Sequence, residues 1–398
     1  MLIKCCLLVL EALAVGIINP ARAVEAGVSR QDFQVTTKDG IRLFVRELRP
    51  SAIDEGKEPL ILIHGARVPG IASFDLAVPG GSLAADLAVR IDRLVYVMDA
   101  RGYGGSQRPA ALDEPADANR PQVHAYEVVR DIAAVAAAAE QRSGSHSVAL
   151  LGWATGGMWA AYYASLYPER VGHLVTLNAL YGGSDRHPQL GPGSPVSDPA
   201  HPDRLSPKIG AYYPLSLIRE SEMMQKAEIR ESVSILSLTA RISDSGYYAR
   251  NDAASLLPSW DRSIPVSDKA VWRDPALIVA YQMAALASDP LSNTQTPPAF
   301  RAPMGAIEDS FYQASGRRLF DASSITSPVL IIRSERDFWS RPGDAQSFAH
   351  DAVHAALVRV LVLPDATHYV HLDRPERGRD QLIREVTSFL TSPQSEGK

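Results

Sequence analysis

Cysteine is almost absent. Of 398 residues only two are cysteine, Cys5 and Cys6, and both stand in the first apolar stretch. Without that stretch the chain has no disulfide, no thiol nucleophile and no cysteine-bound metal. Positive charge is also scarce: 40 Lys and Arg against 45 Asp and Glu give a net charge of −5, with no basic run. The clustered basic face of a nucleic-acid binder is therefore missing. Beyond the first stretch no apolar run reaches the ~20 residues that a membrane-spanning helix requires. Neither a dinucleotide fingerprint, a phosphate loop nor a metal-ligand cluster occurs, so no cofactor or metal is implied.

What remains is an ordinary globular composition, 46% hydrophobic and 21% charged, long enough for one large domain with an insertion. Its start resembles an export signal: Lys4, an apolar region from Cys5 to Ile18 interrupted by Glu11, then Ala21-Arg22-Ala23. Such a segment is cleaved after its small-x-small site, here after Ala23. The expected mature protein begins at Val24 and is soluble in the periplasm or secreted.

Strand and helix signals then alternate. Phe33–Thr36 and Ile41–Leu48 flank Lys38-Asp39-Gly40, a hairpin signal. Apolar runs at Pro59–Ile63, Leu94–Met98, Val148–Leu151, Val171–Leu177 and Val329–Arg333 have the character of buried strands, and the sheet is expected to continue with Val358–Leu363. Helical patterning at Ala125–Glu140 and Asp380–Leu390 completes an α/β alternation, which predicts a mostly parallel sheet wound with helices. From Tyr181 to Asp321 the alternation fails. Pro, Gly, Ser and Asp crowd His187–Pro214, and helical segments follow at Leu215–Ile229 and Pro275–Ser288. Bare loop of that length is uncommon in a compact domain, so 181–321 is expected to be a mostly helical cap between core segments 24–180 and 322–398.

The most constrained stretch is Val148–Gly157, where an apolar strand ends at Gly152 and a helix opens at Gly156. Glycines on either side of one residue allow the sharp turn that lifts that residue above a sheet, as in Gly-x-Ser-x-Gly. Here the pattern is Gly152-x-Ala154-x-Gly156. A methyl group has no lone pair with which to attack a carbonyl.

Together with His64-Gly65, Asp99-x-Arg101-Gly102-x-Gly104-x-Ser106, Glu335-Arg336-Asp337 and Asp365-Ala366-Thr367-His368, this turn resembles the α/β-hydrolase superfamily, in its serine carboxylesterase-like branch. The resemblance runs from about Pro59 to Leu390 and implies that fold. It implies a triad in the order nucleophile, acid, histidine at Ala154, Asp337 and His368, with Glu335 and His371 as rivals for the last two. It also implies an oxyanion hole formed by the Ala66 and Thr155 N–H groups. Arg67 is either a substrate anchor or part of a surface ion pair. Trp153 either lines the pocket or packs beneath the turn. Asp99 and Arg101 are expected to brace neighbouring loops as an ion pair. Among the cap residues Tyr212, Tyr213, Met223, Met224, Trp260, Trp272 and Met283, most should form the cap's core and some should roof the substrate.

Ala154 admits two readings: a serine hydrolase with its nucleophile replaced, or a small-molecule binder on a dead hydrolase. The intact acid, histidine, glycines and oxyanion loop favour the first. Trp153 before position 154, rather than after it, favours serine over the aspartate of epoxide and haloalkane hydrolases. The expected substrate is a medium-to-bulky carboxylic ester or lactone. Amide and carbon–carbon cleavage, as by related serine enzymes, stay open.

Overall fold

The computed structural model describes residues 27–54, 56–115, 118–183, 187, 189–194, 196–198, 200–206 and 248–392. The expected export signal with Cys5 and Cys6, the helix expected at 215–229, and Tyr212, Tyr213, Met223 and Met224 lie outside these residues.

The hairpin signal yields β1 (Val28–Thr36) and β2 (Arg42–Pro50), paired antiparallel. The apolar runs become β3 (Leu60–Ile63), β4 (Val95–Met98), β5 (Val148–Trp153) and β6 (Val171–Leu177). Two later strands, β9 (Val329–Arg336) and β10 (Val358–Thr367), complete one eight-stranded sheet of order β1-β2-β4-β3-β5-β6-β9-β10. Every pairing from β4 to β10 is parallel, and only β2 runs against its neighbours.

Helices α1 (Gly70–Phe74), α2 (Leu83–Ile91), α3 (Ala125–Ser143) and α4 (Thr155–Leu166) connect the first strands. Near the end come α8 (Pro342–Asp351) and α9 (Arg379–Thr391). α3 packs on α4 and α2 on α9. Every residue of β3, β4 and β5 is buried, as cover on both faces requires.

The described part of 181–321 holds α5 (Pro258–Ser263), α6 (Pro275–Ala287) and α7 (Gly305–Ala314). It also holds an antiparallel strand pair, β7 (Tyr248–Asp252) with β8 (Ala299–Pro303), which the helical patterning does not suggest.

Two strands are longer than their apolar runs, and the difference places the site. β9 continues through Ser334-Glu335-Arg336, so Asp337 follows the strand directly. β10 continues past Pro364 and Asp365 by a register irregularity between Leu363 and Thr367, with Asp365 at φ 55°. A proline is tolerated there because β10 is the edge strand and one side of its ladder is unpaired. Register then aligns the strand ends: Ile63 lies opposite Gly152, Trp153 opposite Leu177, Leu177 opposite Ile332, and Arg336 opposite Thr367. The residues that follow these strands, Ala66, Ala154, Asp337 and His368, emerge along one rim, where open α/β sheets hold their ligands.

Candidate active site

The turn at Ala154 is held against its own preference. Ala154 sits at φ 53° and ψ −120°, a region sparsely populated by residues with a Cβ and costing on the order of 1–3 kcal/mol. Its N–H donates to Leu177 O (2.8 Å), and its carbonyl accepts from Gly157 N (3.0 Å). The flanking glycines are obligatory on space alone. A Cβ at Gly152 would lie 2.1 Å from Gly156 O, and one at Gly156 would lie 2.2 Å from Ile63 O. The turn thus wedges α4 against the end of β3.

Thr155 is the first residue of α4. Its N–H has no carbonyl one turn back to receive it, and it lies at the positive end of the helix dipole. The loop after β3 runs against this turn, so that a Cβ at Gly65 would meet Ala154 Cβ at 3.4 Å. That loop is pinned twice. Tyr103 donates its hydroxyl to Ala66 O (2.7 Å). His64 accepts the Ala100 N–H at Nε2 (3.1 Å), which leaves Nδ1 as the donor to Gly65 O (2.6 Å). Burial holds His64 neutral, down to about 4.

Across the rim stands His368, whose Nδ1 lies 2.6 Å from Asp337 Oδ1. Asp337 also accepts the N–H groups of Trp339 (3.0 Å) and Ser340 (2.8 Å) and the Ser340 hydroxyl. Its carboxylate is thus oriented by four donors. The rivals are placed elsewhere. Glu335 accepts the Asp365 N–H (2.7 Å) in an exposed position. His371 is fully buried against Trp153 and Phe74, has among the described residues no hydrogen-bond partner on either ring nitrogen, and is held by burial well below the usual histidine range.

The backbone of His368 is clamped as well. Its carbonyl accepts Trp153 Nε1 (3.0 Å) and Asn178 Nδ2 (3.1 Å), and the Trp153 ring lies 5.1 Å from the imidazole. Trp153 therefore borders the pocket and also braces the histidine loop. Asn178, at φ 53° just beyond β6, additionally bonds Ser334 through its Nδ2 (3.0 Å) and Oδ1 (2.7 Å), joining the ends of β6, β9 and β10. Sequence reasoning missed it, since a single asparagine after a strand reads as a turn residue.

One cavity, open to solvent on one side and holding with that opening about 460 Å³ of empty space, is lined by Ala66, Arg67, Trp153, Ala154, Thr155 and His368 together with Gly65, Val68, Leu256, Ser259, Tyr281, Phe338, Trp339 and Tyr369. Asp337 stands behind His368. One expectation is corrected. Asp99 and Arg101 do not pair: Asp99 accepts the N–H groups of Gly70 (2.7 Å) and Gly105 (2.9 Å), while Arg101 pairs with Asp131 (2.7 Å) and Asp39 (2.8 Å). Burial raises the Asp99 carboxyl to about 6. Arg67 is committed to the insertion: Nε donates to Asn251 Oδ1 (3.1 Å), and Nη2 to the Ser255 carbonyl (3.0 Å) and hydroxyl (3.2 Å). It ties the loop after β3 to that segment. Among the described residues of 181–321, Leu256, Ser259 and Tyr281 line the cavity, and Trp260, Trp272 and Met283 do not. On α6 a two-residue step turns the side chain about 200°, so Met283, 65% exposed, faces away from the cavity that Tyr281 lines. Trp260 is buried, stacked on Tyr369 (4.6 Å, 17°).

Among the described residues no group of three or more His, Cys, Asp or Glu is arranged to hold a metal ion. No described helix is long and apolar enough to cross a membrane.

Comparison with known proteins agrees with this architecture. Residues 58–375 match the family model described as alpha/beta hydrolase fold. The esterase RhEst1 from Rhodococcus sp. ECU1013 aligns at 16% identity with a TM-score of 0.52, covering 91% of this chain and 98% of that one. Proline iminopeptidase from Mycobacterium smegmatis aligns at 19% identity with a TM-score of 0.51, covering 90% and 97%. In sequence, a human (lyso)-N-acylphosphatidylethanolamine lipase is 28% identical over 163 residues, and the match spans 41% of each protein. At such identities the structural likeness speaks for the fold, which hosts several chemistries. With the family model covering most of its length and the sheet, turn and strand-end loops in place, this chain belongs to the alpha/beta hydrolase fold family.

Proposed function

We propose that the site is that of a serine-type carboxylic ester hydrolase whose nucleophile position is occupied by Ala154, so that this chain binds an ester without forming an acyl-enzyme. One observation carries the reading. Position 154 keeps the strained turn, facing the cavity shared by His368 and the loop of Ala66. A turn that has no oxygen to present gains nothing from that strain.

With serine at 154, Oγ would attack the ester carbonyl as its proton passes to His368 Nε2. Asp337 would hold the imidazole tautomer and stabilise the imidazolium. The N–H groups of Thr155 and Ala66 would receive the oxyanion, and the imidazolium would return its proton to the leaving alkoxide. Water would then repeat the sequence on the acyl-enzyme and release the acid. The cavity walls are mainly apolar and aromatic, which supports a medium-to-bulky uncharged ester or lactone.

The test is Ala154→Ser assayed on a short nitrophenyl ester. Restoring a triad nucleophile is expected to raise kcat by on the order of 10⁶, and adding His368→Ala should remove nearly all of that gain. A folded Ala154→Ser protein that turns over no ester or lactone overturns the reading.

A further inference from the structure

We infer that the Tyr281 hydroxyl is a substrate-binding donor that recognises a second, uncharged oxygen acceptor of the ester, outside the group to be cleaved. The identity of the cleaved group rests on the reading above; the donor site does not.

Tyr281 belongs to the insertion, on α6, is 1% exposed, and lines the same cavity as Ala154 and His368. Arg67, Trp153, Ser259 and Tyr369, which line the same cavity, have their polar atoms engaged within the protein. Arg67 holds Asn251 and Ser255, Trp153 holds the His368 carbonyl, and Ser259 Oγ and Tyr369 OH face each other at 3.3 Å. The Tyr281 hydroxyl has no hydrogen-bond partner among the described residues. Buried hydroxyls are ordinarily satisfied, and an orphan in a binding cavity marks where a ligand acceptor belongs.

The phenol is also fixed in advance. Its ring stands edge-on to Trp260 (6.1 Å, 90°) and to Tyr369 (6.4 Å, 75°), so its direction is set by packing without any bond of its own. Burial keeps it protonated, hence a donor, throughout the neutral range. The nearby Arg67 charge favours an electron-rich partner. A carboxylate would lose its hydration against an arginine whose Nε and Nη2 are already engaged, so a keto, ether or hydroxyl oxygen is the fitting acceptor.

The test uses the chain with Ala154 in place, so that binding is read without turnover. Affinities for ethyl 4-oxopentanoate, ethyl 3-oxobutanoate and ethyl hexanoate are measured by calorimetry in the parent and in Tyr281→Phe, which keeps the ring and its packing. The better oxo ester should bind about tenfold or more tightly than the hexanoate, and that ratio should fall toward one in Tyr281→Phe. No preference in the parent, or a preference that survives Tyr281→Phe, overturns the inference. If the preference holds while Ala154→Ser is inert, the ester-hydrolase reading fails and the donor site stands. If Ala154→Ser hydrolyses ethyl hexanoate but the preference is missing, the reverse follows.

Discussion

The floor and the roof of the cavity are held by different means. On the floor, position follows from backbone: the register of β3, β5, β6, β9 and β10 brings five strand ends to one rim, and two glycines and a strained alanine fix the turn between β5 and α4. The roof joins the core mainly through side chains, with backbone bonds from Arg374 N to Trp272 O (2.8 Å) and from Gly305 N to Gln122 O (2.8 Å) beside them. Arg67 reaches Asn251 and Ser255, and Trp260 Nε1 donates to Asp373 Oδ1 (2.8 Å), whose other oxygen accepts Thr367 Oγ1 (2.7 Å). Backbone register cannot be altered by one substitution, whereas a side-chain tie can. Chemistry should therefore depend on the floor, and closure and choice of substrate on the ties.

The largest effect expected from a single change on the floor is on turnover. In an Ala154→Ser background, Asp337→Asn should lower kcat by on the order of 10⁴ through the wrong imidazole tautomer, with the melting temperature little changed. A loss of only a few-fold would mean that Asp337 does not orient His368.

Next comes pH, where floor and tie respond in opposite directions. Burial raises Asp373 to about 7, so its contribution to stability is complete below its unfolded value near 4 and is lost as pH climbs through 7. His64, lowered to about 4, contributes fully above its unfolded value near 6.5 and loses that contribution as pH falls toward 4. Denaturant melts between pH 4 and 8 should show stability declining with pH in the parent relative to Asp373→Asn, by on the order of 2–4 kcal/mol over the window. A parallel pair of curves would refute the assignment to Asp373.

The smallest effect belongs to the other tie. Arg67→Ala removes three hydrogen bonds at the edge of the roof and should cost about 1–3 kcal/mol, seen as faster proteolysis within 248–303 with little change at the sheet. Unchanged cleavage would show that the insertion is held without Arg67.

Much of the floor is legible in the sequence because parallel strands announce themselves as apolar runs and the turn as two glycines at fixed spacing. Asp337 and His368 can be located from their order and spacing even though the ends of β9 and β10 cannot. Pro364 and Asp365 signal a turn, and only the edge position of β10 makes them part of a strand. The roof is far less legible. Trp260, Trp272 and Met283 stand out as large apolar residues, but which one faces a cavity depends on helix phase relative to a core that sequence does not locate. Tyr281 differs from Met283 only by that phase. The strand pair β7 and β8 is hidden for a related reason: its partners are brought together by the chain between them, and Tyr248–Asp252 carries no alternating pattern.

The tie at Asp373 has a consequence for the admission of a guest. Its carboxylate links Trp260, on the insertion, to Thr367, the residue before His368. Raising α5 to admit a large guest must either draw the Asp373 segment along or strip that carboxylate of one of its two side-chain donors. Because Trp153, Asn178 and Asp337 hold His368 without help from Asp373, the imidazole would keep its place while that buried carboxylate lost a donor, so the cost of admitting a guest falls on the tie and not on the base.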